Sequence, residues 1–349
     1  MKKIRRVLSV LLAAIMVFSM TACSGNSEEQ GTDSAEGGGD KTVVGMVQID
    51  LTNPFHLGEV DGAKECARRN GFELVVASGD GDVTKQVEAF DNLLEQVDVI
   101  AVNCIDVTAF ANSFQKAKDK DIPVIVMHSK DENTAGTVGF DEFALSREVG
   151  EYAIELLKEK GGELSDKKVA LLTGMLGQGL NEGRVGGFSE VMEENGVEIV
   201  AAEPTDWDGT KAVTIMENYL TAYDQLDLIY GLSDSVTYPA AQVIADSGRD
   251  ILVTSVDGNT EAIEAVIDGT MDCTYLLAAE YTGYYKALIP YQVLTEDYDL
   301  SEDYILPGFI VTKDNAEAIL QLCDDMVNNI EEFPFEKSLT EIVEEYTAQ

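Results

Sequence analysis

The sequence is poor in positive charge for its length. Its 349 residues include 24 lysines and arginines against 64 aspartates and glutamates, which gives a formal net charge of −40. Phosphate backbones and anionic lipid headgroups repel such a chain, so nucleic-acid binding and attachment to lipid through a basic face are both excluded. Because 45% of the residues are hydrophobic, a wholly disordered chain is also excluded, and two ordinary domains can be built.

Cysteine and histidine are scarce too, with five and two residues. No two cysteines form a C-x-x-C pair, and no spacing matches a zinc pattern, so no metal site is predicted. The fingerprints of dinucleotide and nucleoside triphosphate sites are incomplete, so no cofactor is predicted either. Beyond the N-terminal segment, four cysteines are expected to be free core thiols: Cys66, Cys104, Cys273 and Cys323.

The N-terminus carries a targeting pattern. Four basic residues within the first six precede an apolar run over 7–20, and Met20-Thr21-Ala22-Cys23 follows. This arrangement resembles a bacterial lipoprotein signal, in which the cysteine is lipidated and becomes the mature N-terminus. We therefore predict a signal peptide over 1–22 and, over 23–41, the lipidated Cys23 with a flexible acidic tether. An ordinary secretory signal and an uncleaved anchor are the alternatives.

From Val43 onwards, short β-rich runs alternate with segments of helical periodicity. The runs lie at 43–49, 72–77, 97–102, 123–127, 169–172, 197–201, 226–230, 251–256 and 273–277. Strands separated by helices in this rhythm are typical of βαβ units and parallel sheets. Asp82 and Asn259 are predicted to cap the helices that follow them. Since the pattern occurs twice, we predict an α/β chain with two doubly wound parallel-sheet lobes.

In open parallel sheets, ligands bind outside the carboxyl ends of the strands, so the residues after each run are the candidates. Asn53, Phe55 and His56 follow the first run, and His128 and Ser129 follow the fourth. A plain turn with a hydrophobic staple is the alternative for the first group. Both histidines of the chain fall at such ends, which favours contact with a ligand over a core role. Ligand affinity should then change between about pH 5.5 and 7.5.

The second half adds four candidates. Arg184 is either a cleft donor or a surface ion-pair partner, and Asp257 either accepts ligand hydroxyls or caps a helix. Trp207, the sole tryptophan, lies among acidic loop residues, where its flat face suits the apolar face of a sugar ring. Ser233 stands in a segment faintly like a nucleophile elbow. Both histidines precede it, so a helix cap is the stronger interpretation than catalysis.

The order and spacing of several motifs resemble one family. The motifs are the Cys23 signal, the acidic tether, Asn53-Pro54-Phe55, Arg184 before Gly187-Phe188, and Val256-Asp257-Gly258. Together, over roughly 42–313, they resemble the sugar-binding lipoproteins of ABC importers with the type I periplasmic-binding fold, in the ribose-binding-like branch.

The resemblance implies two lobes joined by a three-stranded hinge, which close over a monosaccharide and dock on a membrane permease. The crossings would fall near 140–141, 277–279 and 308–310. The N-terminal lobe would then comprise 42–140 plus 279–309, and the C-terminal lobe 141–278 plus 310–349. A helix predicted over 315–328 extends beyond the short C-terminal ending of the ribose-binding type.

The resemblance also assigns site residues. The positions that match sugar contacts of the family are Asn53, Phe55, Arg184 and Asp257, and Trp207 stands at a stacking aromatic. The departures are His56 for a second aromatic, His128-Ser129 for an Asp-Arg pair, Ser233 for an asparagine and Leu277 for a glutamine. Because each lost polar group changes which hydroxyls are recognised, the ligand is left open among a deoxy sugar, another aldose and a modified ring.

The sequence thus predicts an extracytoplasmic substrate-binding lipoprotein, anchored through Cys23 to the outer face of a bacterial cell membrane. It is expected to be a monomer without enzymatic activity that delivers a monosaccharide or related small ligand to an ABC permease. Two alternatives remain, namely a sensor subunit that presents its ligand to a receptor kinase and a surface carbohydrate-active enzyme.

Overall fold

The computed structural model describes residues 41–128, 130–296 and 298–348. The predicted signal peptide, Cys23 and almost all of the tether lie outside these residues, and so does Ser129. Within the described ranges, none of the helices combines the length and the apolar character that crossing a bilayer requires.

Two six-stranded sheets form the framework, with strands numbered in chain order. The first contains β1 (Val43–Gln48), β2 (Glu73–Ser78), β3 (Val99–Val102), β4 (Val124–Val126), β5 (Gly136–Gly139) and β11 (Tyr304–Ile305), ordered β11-β5-β4-β3-β1-β2. The second contains β6 (Lys168–Thr173), β7 (Glu198–Pro204), β8 (Leu228–Gly231), β9 (Leu252–Thr254), β10 (Cys273–Leu276) and β12 (Phe309–Thr312), ordered β12-β10-β9-β8-β6-β7. All neighbouring strands pair in parallel except β10 and β12. The predicted α/β class with two doubly wound parallel sheets is confirmed.

Helices connect the strands. They are α1 (Pro54–Asn70), α2 (Val83–Leu93), α3 (Ala111–Asp119), α4 (Glu142–Glu159), α5 (Gly179–Glu194), α6 (Gly209–Ala222), α7 (Asp234–Ser247), α8 (Thr260–Asp268), α9 (Ala279–Thr295), α10 (Ala316–Asn328) and α11 (Leu339–Thr347). Asp82 caps α2 by accepting a hydrogen bond from the Lys85 amide, as predicted. Asn259 is the N-cap residue of α8, but its side chain makes no capping hydrogen bond, so that part of the prediction is wrong.

The chain passes between the sheets three times. It leaves the first sheet after β5 and continues into α4, which packs on α5 beside the second sheet. It returns after β10 into α9, which packs on α1 and on strands of the first sheet. The third passage joins β11 to β12. Each sheet is therefore completed by a segment distant in sequence.

Helices α1 and α9 approach each other at backbone contact distance. A Cβ built on Gly62 would lie 1.8 Å from the carbonyl oxygen of Glu280, and one on Gly283 would lie 1.8 Å from that of Glu59. No side chain fits such a gap, because a carbonyl oxygen belongs to the backbone and cannot turn aside as a side chain does. The close approach therefore requires glycine at both positions.

The C-terminal segment contacts both halves of the molecule. The helix predicted over 315–328 is confirmed as α10, which packs on α8 and β12 beside the second sheet. Beyond it the chain lies against α1, where Arg69 donates hydrogen bonds to the carbonyl oxygens of Ile330, Glu331 and Phe333. The guanidinium of Arg69 also lies over the ring of Phe335, 5.1 Å from its centroid. The end of the chain thus joins elements that carry different sheets.

All four cysteines in the described part of the chain are unpaired, as predicted. Cys66, Cys273 and Cys323 are buried, while Cys104 is half-buried in the loop after β3. Burial raises the pKa of each buried thiol. These three thiols are therefore protonated and unreactive near neutral pH.

Candidate functional site

A cavity of about 80 Å³ lies where the carboxyl ends of both sheets meet. Because one water needs about 10–15 Å³ on this measure, the cavity has room for several waters or a small ligand but not for a polymer. All eight described candidates from the sequence line it: Asn53, Phe55, His56, His128, Arg184, Trp207, Ser233 and Asp257. The ninth, Ser129, lies outside the described residues. Leu277, Phe140 and Leu180 add apolar lining, and two larger hollows adjoin the cavity along the cleft.

One carboxylate shapes the loop between β1 and α1. Asp50 Oδ1 accepts hydrogen bonds from the backbone amides of Thr52 and Asn53, at 2.7 and 2.8 Å. Asn53 Oδ1 in turn accepts from the Phe55 amide and caps α1. His56 Nδ1 lies 3.2 Å from Asp50 Oδ2, and this contact, together with the Thr52 and Asn53 hydrogen bonds, holds the pKa of Asp50 well below its usual range. Asp50 is therefore ionised, and its bonds fix the loop.

Arg184 lies at the centre of the opposite wall and is only 4% exposed. Its Nε donates to Glu142 Oε2 at 2.6 Å, and its Nη1 donates to the Leu232 carbonyl and, at 3.3 Å, to Asp257 Oδ1. Ser233 Oγ donates to the other oxygen of Asp257 at 2.5 Å. Of the two interpretations left open for Arg184, the structure supports the cleft position, since the surface alternative requires exposure.

Ser233 and Asp257 fill different local roles. Ser233 Oγ accepts from the Ser235 amide, so it caps α7 as well as lining the cavity. Asp257 caps no helix, because Asn259 holds the N-cap position of α8. The φ of Asp257 is +125°, a backbone conformation that residues other than glycine rarely adopt. Such strain is typical of binding sites. Asp234 is the first residue of α7 and is buried. Burial and the charge of Asp257 raise the pKa of Asp234 to about 8.

A second buried cation, which the sequence analysis missed, lines the cavity from the side of the first sheet. Lys286 of α9 lines the cavity, is 2% exposed and pairs with Glu59 Oε1. Gln48 Nε2 donates to the remaining Glu59 oxygen at 2.9 Å. A buried pair with each oxygen satisfied costs far less than a lone buried charge. The available signal was one lysine within an otherwise aromatic and apolar stretch of α9.

His128 lies two residues after the end of β4 and faces the start of α4 across the cleft. Its Nδ1 lies 3.4 Å from Glu142 Oε1. Burial, reinforced by the positive charges of Lys286 and Arg184, lowers the pKa of His128 to about 3. The ring is therefore neutral between pH 5.5 and 7.5. The expectation that His128 titrates in that range is wrong, because burial beside two cations disfavours imidazolium.

Several buried polar atoms of the cavity wall have no hydrogen-bond partner among the described residues. They are His56 Nδ1, Asn103 Oδ1, His128 Nδ1 and Glu142 Oε1. Asn103, also missed in the sequence, follows β3 and is held by Gln86, whose Nε2 donates to the Asn103 carbonyl at 2.7 Å. Three of these atoms face one another or a carboxylate, since His56 Nδ1 lies 3.2 Å from Asp50 Oδ2 and His128 Nδ1 lies 3.4 Å from Glu142 Oε1. Asn103 Oδ1 is left without a partner, and because such a buried group costs about 1–3 kcal/mol, it indicates a polar ligand.

Trp207 forms the apolar wall with its hydrogen-bonding group already occupied. Its Nε1 donates to Gln178 Oε1 at 2.7 Å, and its backbone has a φ of +62°. The ring packs against Gly174, where a Cβ would come within 2.0 Å of Cζ2. Because its N–H is occupied, Trp207 offers a ligand its apolar ring.

Replacing Gly174 with alanine should displace this ring. The new methyl overlaps the six-membered ring, so we expect a loss of about 1–3 kcal/mol in the free energy of unfolding and a shifted tryptophan emission spectrum. In a Trp207→Phe background the smaller ring leaves room, and the cost of Gly174→Ala should shrink. Equal costs in both backgrounds, measured by urea denaturation followed by circular dichroism, would contradict this packing.

In the part of the chain that the structure describes, no group of three or more histidine, cysteine, aspartate or glutamate side chains could hold a metal ion. The polar wall instead consists of paired charges and neutral hydrogen-bonding groups. Such a wall can orient a neutral ligand rich in hydroxyl groups against the face of Trp207.

Known proteins share both this sequence pattern and this architecture. The family model described as "Periplasmic binding protein domain" matches residues 44–296. The ribose import binding protein RbsB of Bacillus subtilis is 27% identical over 280 residues, which cover 80% of this chain and 90% of that protein. The xylitol-binding protein of Mycolicibacterium smegmatis is 24% identical over 323 residues, 90% of this chain and 87% of the relative.

Solved structures give the same result. The crystal structure of an ABC transporter solute binding protein from Mycobacterium smegmatis with bound glycerol superimposes with a TM-score of 0.75 at 27% identity, covering 80% of this chain and 97% of that one. A solute binding protein from Bacillus halodurans with bound myo-inositol shares the fold, with a TM-score of 0.73 at 24% identity.

Proposed function

The chain belongs to the periplasmic binding protein domain family, and we propose from that membership that it is the sugar-binding solute-binding protein of an ABC importer. Members of this family are binding proteins rather than catalysts, in keeping with the expected lack of enzymatic activity. Relatives carry names for ribose, xylitol, galactofuranose and allose binding. One observation carries the proposal, namely the cavity between the two sheets, which is lined by aromatic rings and by buried polar side chains such as Arg184, Asp257 and Asn103.

The ligand-binding role of the wall follows from its chemistry. We assign contacts with the ligand to Asn53, Phe55, His56, His128, Ser129, Arg184, Trp207, Ser233 and Asp257. The rings of Phe55 and Trp207 suit the apolar faces of a sugar, while the carboxylate of Asp257 and the guanidinium of Arg184 suit its hydroxyls.

Closure of two lobes would couple capture to delivery. We place the lobes at 42–140 plus 279–309 and at 141–278 plus 310–349, with the three passages between the sheets as the hinge. Phe55, which follows β1 of the first sheet, packs against the hydrophobic cluster of the second. A ligand that contacts both walls stabilises the closed arrangement, and a permease would recognise that arrangement.

The N-terminal segment supplies the location. Cleavage before Cys23 and lipidation of that residue would hold the protein, as a monomer, on the outer face of the cell membrane next to its permease. The acidic tether over 23–41 would give the binding unit freedom to reach the permease.

The test uses the only tryptophan of the chain. The purified protein is titrated with pentoses, hexoses, deoxy sugars and polyols while Trp207 emission is followed. We expect a saturable change with at least one member of this panel, because the ring lines the cavity. Amino acids serve as the control set. A change of emission with an amino acid would contradict a sugar ligand. So would unchanged emission of the folded protein with every sugar of the panel.

A further inference from the structure

We propose that His128 presents a fixed hydrogen-bond acceptor, Nε2, to the cavity. Glu142 is the positioning residue that keeps Nδ1 protonated and Nε2 unprotonated. The ligand must then place a hydrogen-bond donor, such as a hydroxyl, against His128. This inference rests on the proposed sugar-binding function and adds to it a rule for which sugars fit.

Two buried atoms face each other at the start of α4. His128 Nδ1 and Glu142 Oε1 are 3.4 Å apart, and neither has a hydrogen-bond partner elsewhere in the described chain. A single proton between them satisfies both atoms. If it belongs to the histidine, Nε2 is an acceptor, and if it belongs to the glutamic acid, Nε2 carries the other proton and is a donor.

Arg184 decides where that proton lies. Its guanidinium is permanently charged, can only donate, and places Nε 2.6 Å from Glu142 Oε2. This charge-assisted bond favours the carboxylate form of Glu142 against the effect of burial, which raises the pKa of Glu142. A carboxylate accepts on Oε1 as well, so the proton lies on His128 Nδ1.

The surroundings keep the ring neutral. The charged and titratable groups that face His128 are Glu142 of α4, Lys286 of α9, Arg184 of α5 and His56 of α1. The last three disfavour imidazolium, as does burial. The carboxylate of Glu142 favours imidazolium, but its charge is shared with Arg184. With Nδ1 buried against Glu142, Nε2 is the ring nitrogen left to meet a ligand in the cavity that His128 lines. Since the ring does not gain a second proton near neutral pH, Nε2 stays an acceptor.

The position of the proton can be measured without a ligand. Long-range proton–nitrogen correlation spectra of the ¹⁵N-labelled full chain distinguish a protonated ring nitrogen from an unprotonated one. Only two histidines are present, so a His56→Gln variant assigns the remaining signals to His128. We expect Nδ1 to be protonated and Nε2 unprotonated, unchanged from about pH 5 to 8. A proton on Nε2, or a ring that titrates, would overturn the inference.

Glu142→Gln should exchange the protonation states of the two ring nitrogens of His128. Arg184 Nε needs an acceptor, so the new amide turns its oxygen to Arg184 and its NH₂ to His128, whose Nδ1 must then accept. We expect the proton to move to Nε2 in this variant. Glu155→Gln, an exposed position on the same helix, is the matched control and should leave the spectrum as in the parent protein. A merely structural role for Glu142 would change stability without exchanging the two nitrogen signals.

The specificity rule is tested with the sugar that binds most tightly in the fluorescence panel and with its deoxyfluoro analogues. One analogue should bind about 10-fold more weakly, because fluorine cannot donate to Nε2, and Glu142→Gln should remove that difference. Equal discrimination in both proteins overturns the inference. Protonated Nδ1 in a protein that binds no sugar would instead refute the proposed function and leave the ring assignment standing.

Discussion

Replacing Arg184 with methionine is expected to abolish ligand binding and to lower the free energy of unfolding by about 3–5 kcal/mol. Methionine keeps much of the length and apolar volume of the side chain but removes the cation that Glu142 and Asp257 share. Two buried carboxylates then lose the counter-charge that they share, and the Leu232 carbonyl loses its donor. Isothermal calorimetry with the sugar that binds most tightly in the fluorescence panel measures the first effect, and urea denaturation measures the second.

Arg147→Met is the matched control. This arginine pairs with Glu190 and Glu194 at the surface, so its loss should cost less than about 1 kcal/mol and leave binding unchanged. Adding Glu142→Gln to Arg184→Met removes one of the stranded charges and should restore part of the stability, though not the binding. An Arg184→Met protein that unfolds like the Arg147→Met control would refute the central role of Arg184.

Gly283→Ala should destabilise the first sheet and its helices more than any exposed substitution. The added methyl would lie 1.8 Å from the Glu59 carbonyl oxygen, so α9 must move away from α1. Such a movement also separates Lys286 from Glu59, which exposes a buried ion pair. We expect a loss of at least about 3 kcal/mol in the free energy of unfolding.

The control for Gly283→Ala is Gly186→Ala, within α5. There the new methyl meets only the Phe143 ring, at 3.4 Å, and the higher helix propensity of alanine should stabilise the protein by up to about 1 kcal/mol. Thermal unfolding followed by circular dichroism separates the two variants. If both glycines accept alanine equally well, the contact between α1 and α9 is looser than described.

The fold could be predicted largely from strand rhythm, because buried parallel strands read as short apolar runs. The strands that escaped prediction are β5, β11 and β12, which have two to four residues. β5 and β11 carry too few apolar side chains to form a run, whereas β12 is apolar but short. Their places are set by pairing with strands already present in each sheet, which is a tertiary effect.

The site was predictable where it follows the strand ends and not elsewhere. The loops after the longer runs yielded the eight described candidates, and the same rule applied to β1 and β3 would have found Asp50 and Asn103. Glu142 and Lys286 belong to helices that enter the cavity only because the chain crosses between the sheets. No local pattern announces such a position, since it depends on how α4 and α9 pack.

The contact of α1 with α9 also bears on the order in which the protein can fold as it is synthesised. Glu59 and Lys286 are 227 residues apart in the chain. At about 5–20 residues per second, the ribosome needs roughly 10–45 s after making α1 to make its partner helix. During that interval the apolar faces of β1 to β5 lack the helix that covers them. Strands β6 to β10 of the second sheet follow one another directly and can pair before α9 is made, whereas β12 joins that sheet only after α9.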